Sequence, residues 1–446
     1  MDTNKDNKGP QNVLTVPSPK KTNDIVLWVG ADWADQKHCL VTQLPDGSCA
    51  QTHWVDQKPQ DLDDYFLGLR QQYPTGRIAV VLEQSRGALL YGLLKYPFLR
   101  LFPVNPRCLA DFRSAMSASG AKGDPSDADL LAEMGCKHWE YMREFELQDA
   151  ATRQLVLLNE QRRGIVDEQT GLSNQLGSAL KCFYPLALEL FGDDIDKPMA
   201  LDFLKRWPNL ALVQKAKAGV LRAFFYKCNS RSEAKIQARL EAIAAAKPLT
   251  EDAALLACSQ LLVKTLIVRL KAVQASIAEY DERIKQVFAT HAKAKVFKSF
   301  PGAGVVLAPR LAAAFGTSEA NFPEPFSMLC WSGVAPIKLQ SGKSKVVLWR
   351  WARPTFLHQT FVEYARNSIF FSAWAREFFD SRVKKGWGKF RIYRALAFKW
   401  IRILWRCWKD DVEYDEAKYL KSLQAKGVTL YAGLYDAQPT QTTCTE

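Results

Sequence analysis

Four carboxylates in the first third of the chain have the types and spacing to do chemistry: Asp32, Glu83, Asp124 and Asp127. Asp32 closes the apolar run 25–31 (IVLWVGA), which reads as a strand, and Glu83 closes a second, 78–82 (IAVVL). Asp124 and Asp127 stand three residues apart at the start of an expected helix and so share one helical face. Strand ends and a helix start can converge at one edge of a sheet, where clustered carboxylates repel unless cations lie between them. Hard oxygen donors favour Mg²⁺ or Mn²⁺, and two such ions about 4 Å apart would clamp a phosphodiester for in-line displacement. Taken singly, each acid also fits an ordinary solvated carboxylate at the end of an element.

A second candidate lies much later. Ser341 sits beside Gly342 in the stretch 332–343 (SGVAPIKLQSGK). A hydroxyl in a basic, accessible loop is what attack on a phosphodiester requires; a Ser-Gly pair is equally a common turn signal. Upstream, the run FPGAG at 300–304 precedes an Ala/Leu-rich helix expected over 305–315. It looks like the second half of a helix-hairpin-helix, in which backbone N–H groups around Gly302 and Gly304 hold a phosphate without reading sequence. The same pattern occurs as a plain turn.

Charge is concentrated in one segment. Between Lys338 and Lys409 there are 17 Lys/Arg against three acids, a local net of +14, whereas the whole chain carries 60 basic and 47 acidic residues, net +13. The remainder is therefore near neutral, and the excess points to a polyanionic partner. Seven of the 13 tryptophans (349, 351, 374, 387, 400, 405 and 408) share that span. Interleaved cations and aromatic rings suit a backbone groove with stacking platforms. The expected nucleic-acid contacts are Lys338, Lys343, Lys345, Arg350, Arg353, Lys384, Lys385, Lys389 and Arg391, with Gly302 and Gly304. Trp400, Trp405 and Trp408, at helical spacing, read instead as core.

The elements that must position these groups fall into three regions between a polar leader (1–22) and a tail (413–446). Residues 23–144 read as α/β. Strands at 25–33, 38–43 and 49–54 form an antiparallel meander around the Pro45-Asp46-Gly47 turn. Helix and strand then alternate up to the Asp124/Asp127 helix. That is the ribonuclease H-like order. Residues 145–296 are helical, with stripes at Leu155, Leu158, Arg162, Ile165 and Leu172 and at Leu255, Leu262, Leu266, Leu270, Val273 and Ile277. Pro185, Pro198 and Pro208 interrupt the stretch between them. A coiled-coil arm with an insertion follows, serving either dimerisation or the spacing of its neighbours. Residues 297–412 form a mainly α domain with the helix-hairpin-helix-like element.

Composition excludes several classes. No run of about 18 uncharged apolar residues is present, so no membrane partner is expected. The leader lacks an apolar signal core, which points to the cytoplasm. Ten scattered cysteines without a CxxC pair, and five histidines without ligand spacing, argue against zinc or a disulfide framework.

Taken jointly, the motifs resemble one family. VGADWADQKH around Asp32, AVVLEQSRG around Glu83, VNP at 104–106 and AKGDPSDADLLA at 121–132 are similar to the RuvC-like domain of DEDD insertion-sequence transposases. FPGAGVVLAPRLAAAFG at 300–316 and CWSGVAPIKLQSGKS at 330–344 resemble the serine-bearing C-terminal domain of the same family. The resemblance implies a metal-dependent DNA recombinase of a prokaryotic mobile element, nucleoid-associated when active. Asp32, Glu83, Asp124 and Asp127 would be its Mg²⁺-binding tetrad and Ser341 its nucleophile. It further implies donor and target double-stranded DNA, a structured non-coding bridge RNA, and a homo-oligomer, dimer or tetramer, as partners. A RuvC-like structure-selective endonuclease that uses water is the alternative. The sequence departs from the family pattern at Lys122-Gly123-Asp124, at Gln84-Ser85-Arg86-Gly87 and at 349–361, and its insertion around 185–255 is long.

Overall fold

A computed structural model describes residues 24–83, 87–116, 123–342, 344–351 and 353–435. The expected leader at 1–22, Lys343 and residues 436–446 lie outside the described residues. The chain divides into two units, one ending at Leu147 and one beginning at Gln148.

The first unit is a mixed α/β sheet domain. Its elements run β1 (Ile25–Asp32), β2 (Lys37–Gln43), β3 (Gln51–Asp56), α1 (Pro59–Gln72), β4 (Arg77–Leu82), α2 (Ala88–Leu93), β5 (Leu99–Pro103), α3 (Pro106–Met116) and α4 (Asp124–His138). The strand order is β3-β2-β1-β4-β5, antiparallel from β1 to β3 and parallel from β1 through β4 to β5. The Pro45-Asp46-Gly47 turn closes as expected, with Gly47 N–H donating to the Leu44 carbonyl at 2.8 Å and Gly47 at φ +85°.

Strands β1 and β4 read as unbroken apolar runs because both of their faces are covered. Val29, Ala31, Val80 and Leu82 pack with Phe66 of α1 and Leu89, Leu90 and Leu93 of α2. Trp28, Val81 and Phe102 pack with Leu131 and Met134 of α4. Two glycines let α4 lie directly on β1. A Cβ on Gly30 would stand 1.9 Å from the Ala128 carbonyl oxygen, and one on Gly135 would stand 2.4 Å from the Trp28 ring. That close approach sets where Asp127, the neighbour of Ala128, can sit relative to Asp32.

The second unit is mostly helical. Asp149 caps α5 (Ala150–Phe183) by accepting from Thr152 N–H. Helices α6 (Leu186–Phe191), α7 (Pro198–Arg206), α8 (Leu210–Gln214), α9 (Ala218–Lys227) and α10 (Glu233–Ala245) form the insertion. Helix α11 (Ala253–Ala289) then returns antiparallel to α5, with Arg162 bonded to Asp281 at 2.6 Å and Arg269 facing Glu168 at 3.7 Å. The stripe expected on α11 is only partly buried. Leu266, Leu270 and Val273 join the insertion core, but Leu255 and Leu262 are exposed and Val263 and Ile267 take their place. The insertion packs on the face that carries Val263, Leu266, Ile267, Leu270 and Val273, which overlaps the expected stripe over its middle. By length and composition alone α11 could cross a membrane; its apolar run carries Lys264 and Arg269, and its inner face packs on protein.

The unit continues with α12 (Ala294–Lys298), α13 (Gly304–Phe315), α14 (Pro325–Trp331), β6 (Ile337–Ser341), β7 (Ser344–Leu348), α15 (Thr355–Ser368), α16 (Ala373–Lys384), α17 (Lys389–Asp410) and α18 (Glu416–Ala425). The stretch 332–343, expected as a basic loop, instead enters an antiparallel hairpin over 337–348 with Ser341 opposite Ser344. Trp400, Trp405 and Trp408 are core residues, and each satisfies its ring N–H, on Ser368 Oγ, the Phe322 carbonyl and the Gly316 carbonyl.

Candidate active site

Adjacent parallel strands carry the first two acids to the same edge. Ala31 lies beside Leu82 in the β1–β4 register, so Asp32 and Glu83 follow as the next positions outward. Both are half-buried. Asp124 and Asp127 occupy the first turn of α4, where the helix dipole favours negative charge. Asp124 is exposed, whereas Asp127 is 1 % exposed. Asp127 Oδ1 accepts from Arg113 Nε at 2.8 Å and from Nη2 at 2.6 Å, and its buried Oδ2 has no hydrogen-bond partner among the described residues.

Cys39 reports on the space between these groups. It is the β2 residue opposite Asp32, and burial first, then the charges of Asp32 and Asp124, push its thiol up to about 11. Asp32 and Asp124 therefore act on one atom. Next to it, buried His38 takes a hydrogen bond from Ala34 N–H at 3.3 Å on Nδ1 and is bonded to Gln57 through Nε2. This pins the turn that follows Asp32, and burial lowers the imidazole pKa. Among the described residues, no three acid, histidine or cysteine groups close to metal-ligating distances. The donor set nonetheless suits a hard cation. All four groups are carboxylates, and among the described residues Asp127 keeps one buried oxygen unpartnered while a guanidinium neutralises the other.

Sequence spacing did not reveal Arg113. It precedes Asp127 by 14 residues, and only the packing of α3 on α4 makes them partners. Nor did it reveal Cys39 or His38.

In the second unit Ser341 ends β6, exposed at the hairpin tip beside Gly342 at φ +55°. Opposed residues of a hairpin share a face. Ser341 therefore shares one with Leu339 and Val346, and Lys338 shares the other with Val347. Lys338, Lys345, Lys384, Lys385, Lys389 and Arg391 are all exposed; Arg350 and Arg353 are half-buried at the hairpin root. Gly304 opens α13 into free space at φ +52°. Gly302 is used differently. Its carbonyl accepts from Asn367 Nδ2 at 2.5 Å, and a Cβ there would meet Phe371 at 2.7 Å, so its backbone serves packing.

A transposase family model named for its DEDD acids matches residues 29–185, and the transposase model of the IS116/IS110/IS902 family matches 294–380. The chain is 25% identical over 413 residues to a mini-circle putative transposase for IS117 of Streptomyces coelicolor, covering 89% of this chain and 97% of that one. It is 23% identical over 400 residues to the uncharacterized 42 kDa protein of insertion element IS900 of Mycobacterium paratuberculosis, covering 88% and 98%. Two transposase models matched in order, the first across the sheet domain and into α5 and the second within the helical unit, mark the chain as a transposase. The chain belongs to the IS110/IS116 family of DEDD transposases.

Proposed function

We infer that this transposase excises and inserts its mobile element by strand cleavage in a RuvC-like, ribonuclease H-like first unit, with Ser341 as nucleophile and a structured bridge RNA as guide. The observation that carries the reading is the convergence of Asp32 and Glu83, at neighbouring parallel strand ends, with an α4 start pressed onto β1. Asp32, Glu83, Asp124 and Asp127 would hold Mg²⁺ or Mn²⁺, which when bound would polarise the scissile phosphate and stabilise the leaving oxygen.

Ser341 Oγ would attack phosphorus, forming an Oγ–P bond as the P–O3′ bond breaks and the 3′ oxygen leaves with a proton. The 3′-OH of another strand would then displace Ser341, which recovers its proton, so phosphodiester count is conserved without ATP. Arg113 would neutralise Asp127 until a cation does so. The exposed cations of α16, α17 and the hairpin would hold DNA and RNA backbone. Strand exchange needs at least two active sites. An exposed stripe on α11, Leu255 with Leu262 and Leu261 with Val268, supports a dimer or tetramer.

The test is a denaturing gel of protein incubated with labelled element-end DNA, RNA from its own element and Mg²⁺. The native protein should leave a covalent protein–DNA adduct; Ser341→Ala should bind but form none, and Asp32→Ala or Glu83→Ala should not cleave. Cleavage without any adduct, unchanged by Ser341→Ala, would establish the water-using endonuclease instead.

A further inference from the structure

We propose that Trp351, with Trp349 beside it, is a stacking platform for one unpaired DNA base beside the cut strand. The proposal rests on the DNA-cleaving reading above and assigns it a site that the acids and Ser341 do not supply.

The platform is built where β7 leaves the hairpin. The two indoles lie side by side, ring centroids 6.5 Å apart and tilted 31° to each other. Arg394 of α17 lies over the Trp349 ring, with its guanidinium carbon 3.7 Å from the ring centroid. Arg353 stands 5.9 Å from the Trp351 centroid. Trp351 is 79 % exposed, so its ring is free to receive a further plate.

The supporting wall is fixed. Arg353 lies across Gly333, where a Cβ would stand 2.1 Å from its Cδ; Gly333 itself is at φ +67°. Arg353 also bonds the Arg350 carbonyl, and Arg350 Nη2 reaches Cys330 Sγ at 3.8 Å. His358 Nδ1–H donates to the Ser332 carbonyl at 3.1 Å. A single surface tryptophan would need none of this.

Charge identifies the occupant. Among the described residues, no carboxylate lies within ion-pairing distance of Arg350, Arg353 or Arg394, and the buried Nε atoms of Arg350 and Arg394 have no partner. Half-buried guanidiniums without acids call for an anion, and an exposed indole beside them calls for a flat ring. A nucleotide carries both. It must be unpaired, because duplex bases already have their faces covered, whereas splayed bases stack on aromatic side chains.

DNA is favoured by position. From the root pair Ile337/Leu348 to the tip pair Ser341/Ser344 there are four residue steps, about 14 Å at strand rise. A strand whose phosphate sits at Ser341 would bring a nucleotide about four stacked steps away to the root.

The experiment uses full-length protein in EDTA, so that no strand is cut, at one fixed salt. Affinities are measured for labelled oligothymidylate, oligouridylate of the same length and a blunt duplex. Trp351→Ala should weaken oligothymidylate binding about 5- to 150-fold, the worth of one stacked base at a tenfold change per 1.4 kcal/mol. Duplex binding should change less than twofold, and Trp351→Tyr should restore most of the loss. Near-UV circular dichroism of both variants, and of Trp349→Ala, checks that the fold is intact. An unchanged oligothymidylate affinity, an equal loss on duplex, or a larger loss on oligouridylate would each overturn the proposal. Adduct formation plays no part in this assay. Native adducts with an indifferent Trp351→Ala would therefore sink the platform alone, while absent adducts with a selective loss would sink the cleavage reading alone.

Discussion

Asp127 is a buried carboxylate whose charge is answered, among the described residues, by Arg113. Removing one partner of a buried pair costs about 3–5 kcal/mol because the other charge is left uncompensated. Arg113→Met should therefore lower Tm by on the order of 10 °C for a protein unit of this size. If Asp127 is a metal ligand, a divalent cation can take over the neutralisation. Mg²⁺ should then raise the Tm of Arg113→Met well above its effect on the native protein, because a ligand that binds only the folded state adds stability by mass action. The added Asp127→Asn change should abolish that gain. Differential scanning with and without Mg²⁺ decides it: equal Mg²⁺ shifts in native and Arg113→Met protein would remove Asp127 from the metal site. At this scale the sequence disclosed residue types but not surroundings. Asp124 and Asp127 read as a matched pair on one helix face, yet one faces solvent and the other an arginine from α3.

The contact between β1 and α4 carries the geometry of the acid cluster, and two glycines permit it. At Gly30 the obstacle to a Cβ is a backbone carbonyl at 1.9 Å, which cannot give without moving α4. At Gly135 it is the Trp28 ring at 2.4 Å, buried but a side chain. Overpacking of this kind typically costs about 1–3 kcal/mol. Gly135→Ala should fall in that range by urea unfolding, with Gly30→Ala costing more and speeding amide exchange along α4. Native stability in Gly30→Ala would mean that α4 does not rest on β1 as described. Strands β1 and β4 were legible because a doubly covered strand leaves an apolar run no loop would keep. The hairpin at 337–348 was not, since its residues are exposed and alternate little; Leu339, Val346 and Val347 face solvent and left no buried period. On α11 the heptad spacing was visible, but which stripe turned inward depended on the insertion, and Leu255 and Leu262 ended outside. The three helical tryptophans of α17 were legible as core because their spacing keeps them on one face.

Across the whole molecule, the two units share an acid-labile feature, histidines whose partial or full burial disfavours the charged imidazole. His38 lies in the first unit, bonded to Ala34 N–H and Gln57. His291 and His358 lie in the second. His291 is buried against Thr152 Oγ1 at 3.0 Å and takes Lys293 N–H on Nδ1 at 3.1 Å. Burial lowers all three, and for His358 burial, then the cations Arg353 and Arg394, bring the imidazole down to about 4. The sign follows directly. An unfolded histidine takes up its proton near pH 6.5 while the folded one does so only at lower pH, about 4 for His358, so below about 6.5 the unfolded chain binds more protons. Stability present above pH 6.5 is therefore lost as pH falls, by up to about 1.4 kcal/mol per pH unit for each such group. Melting followed from pH 7.5 to 5 should show Tm falling steadily in the second unit. His358→Gln, whose amide can still donate to the Ser332 carbonyl, should flatten that slope without lowering Tm much at pH 7.5. A His358→Gln protein with the native slope would show that this imidazole is already charged near neutral pH, and that the arginines beside it do not exclude its proton.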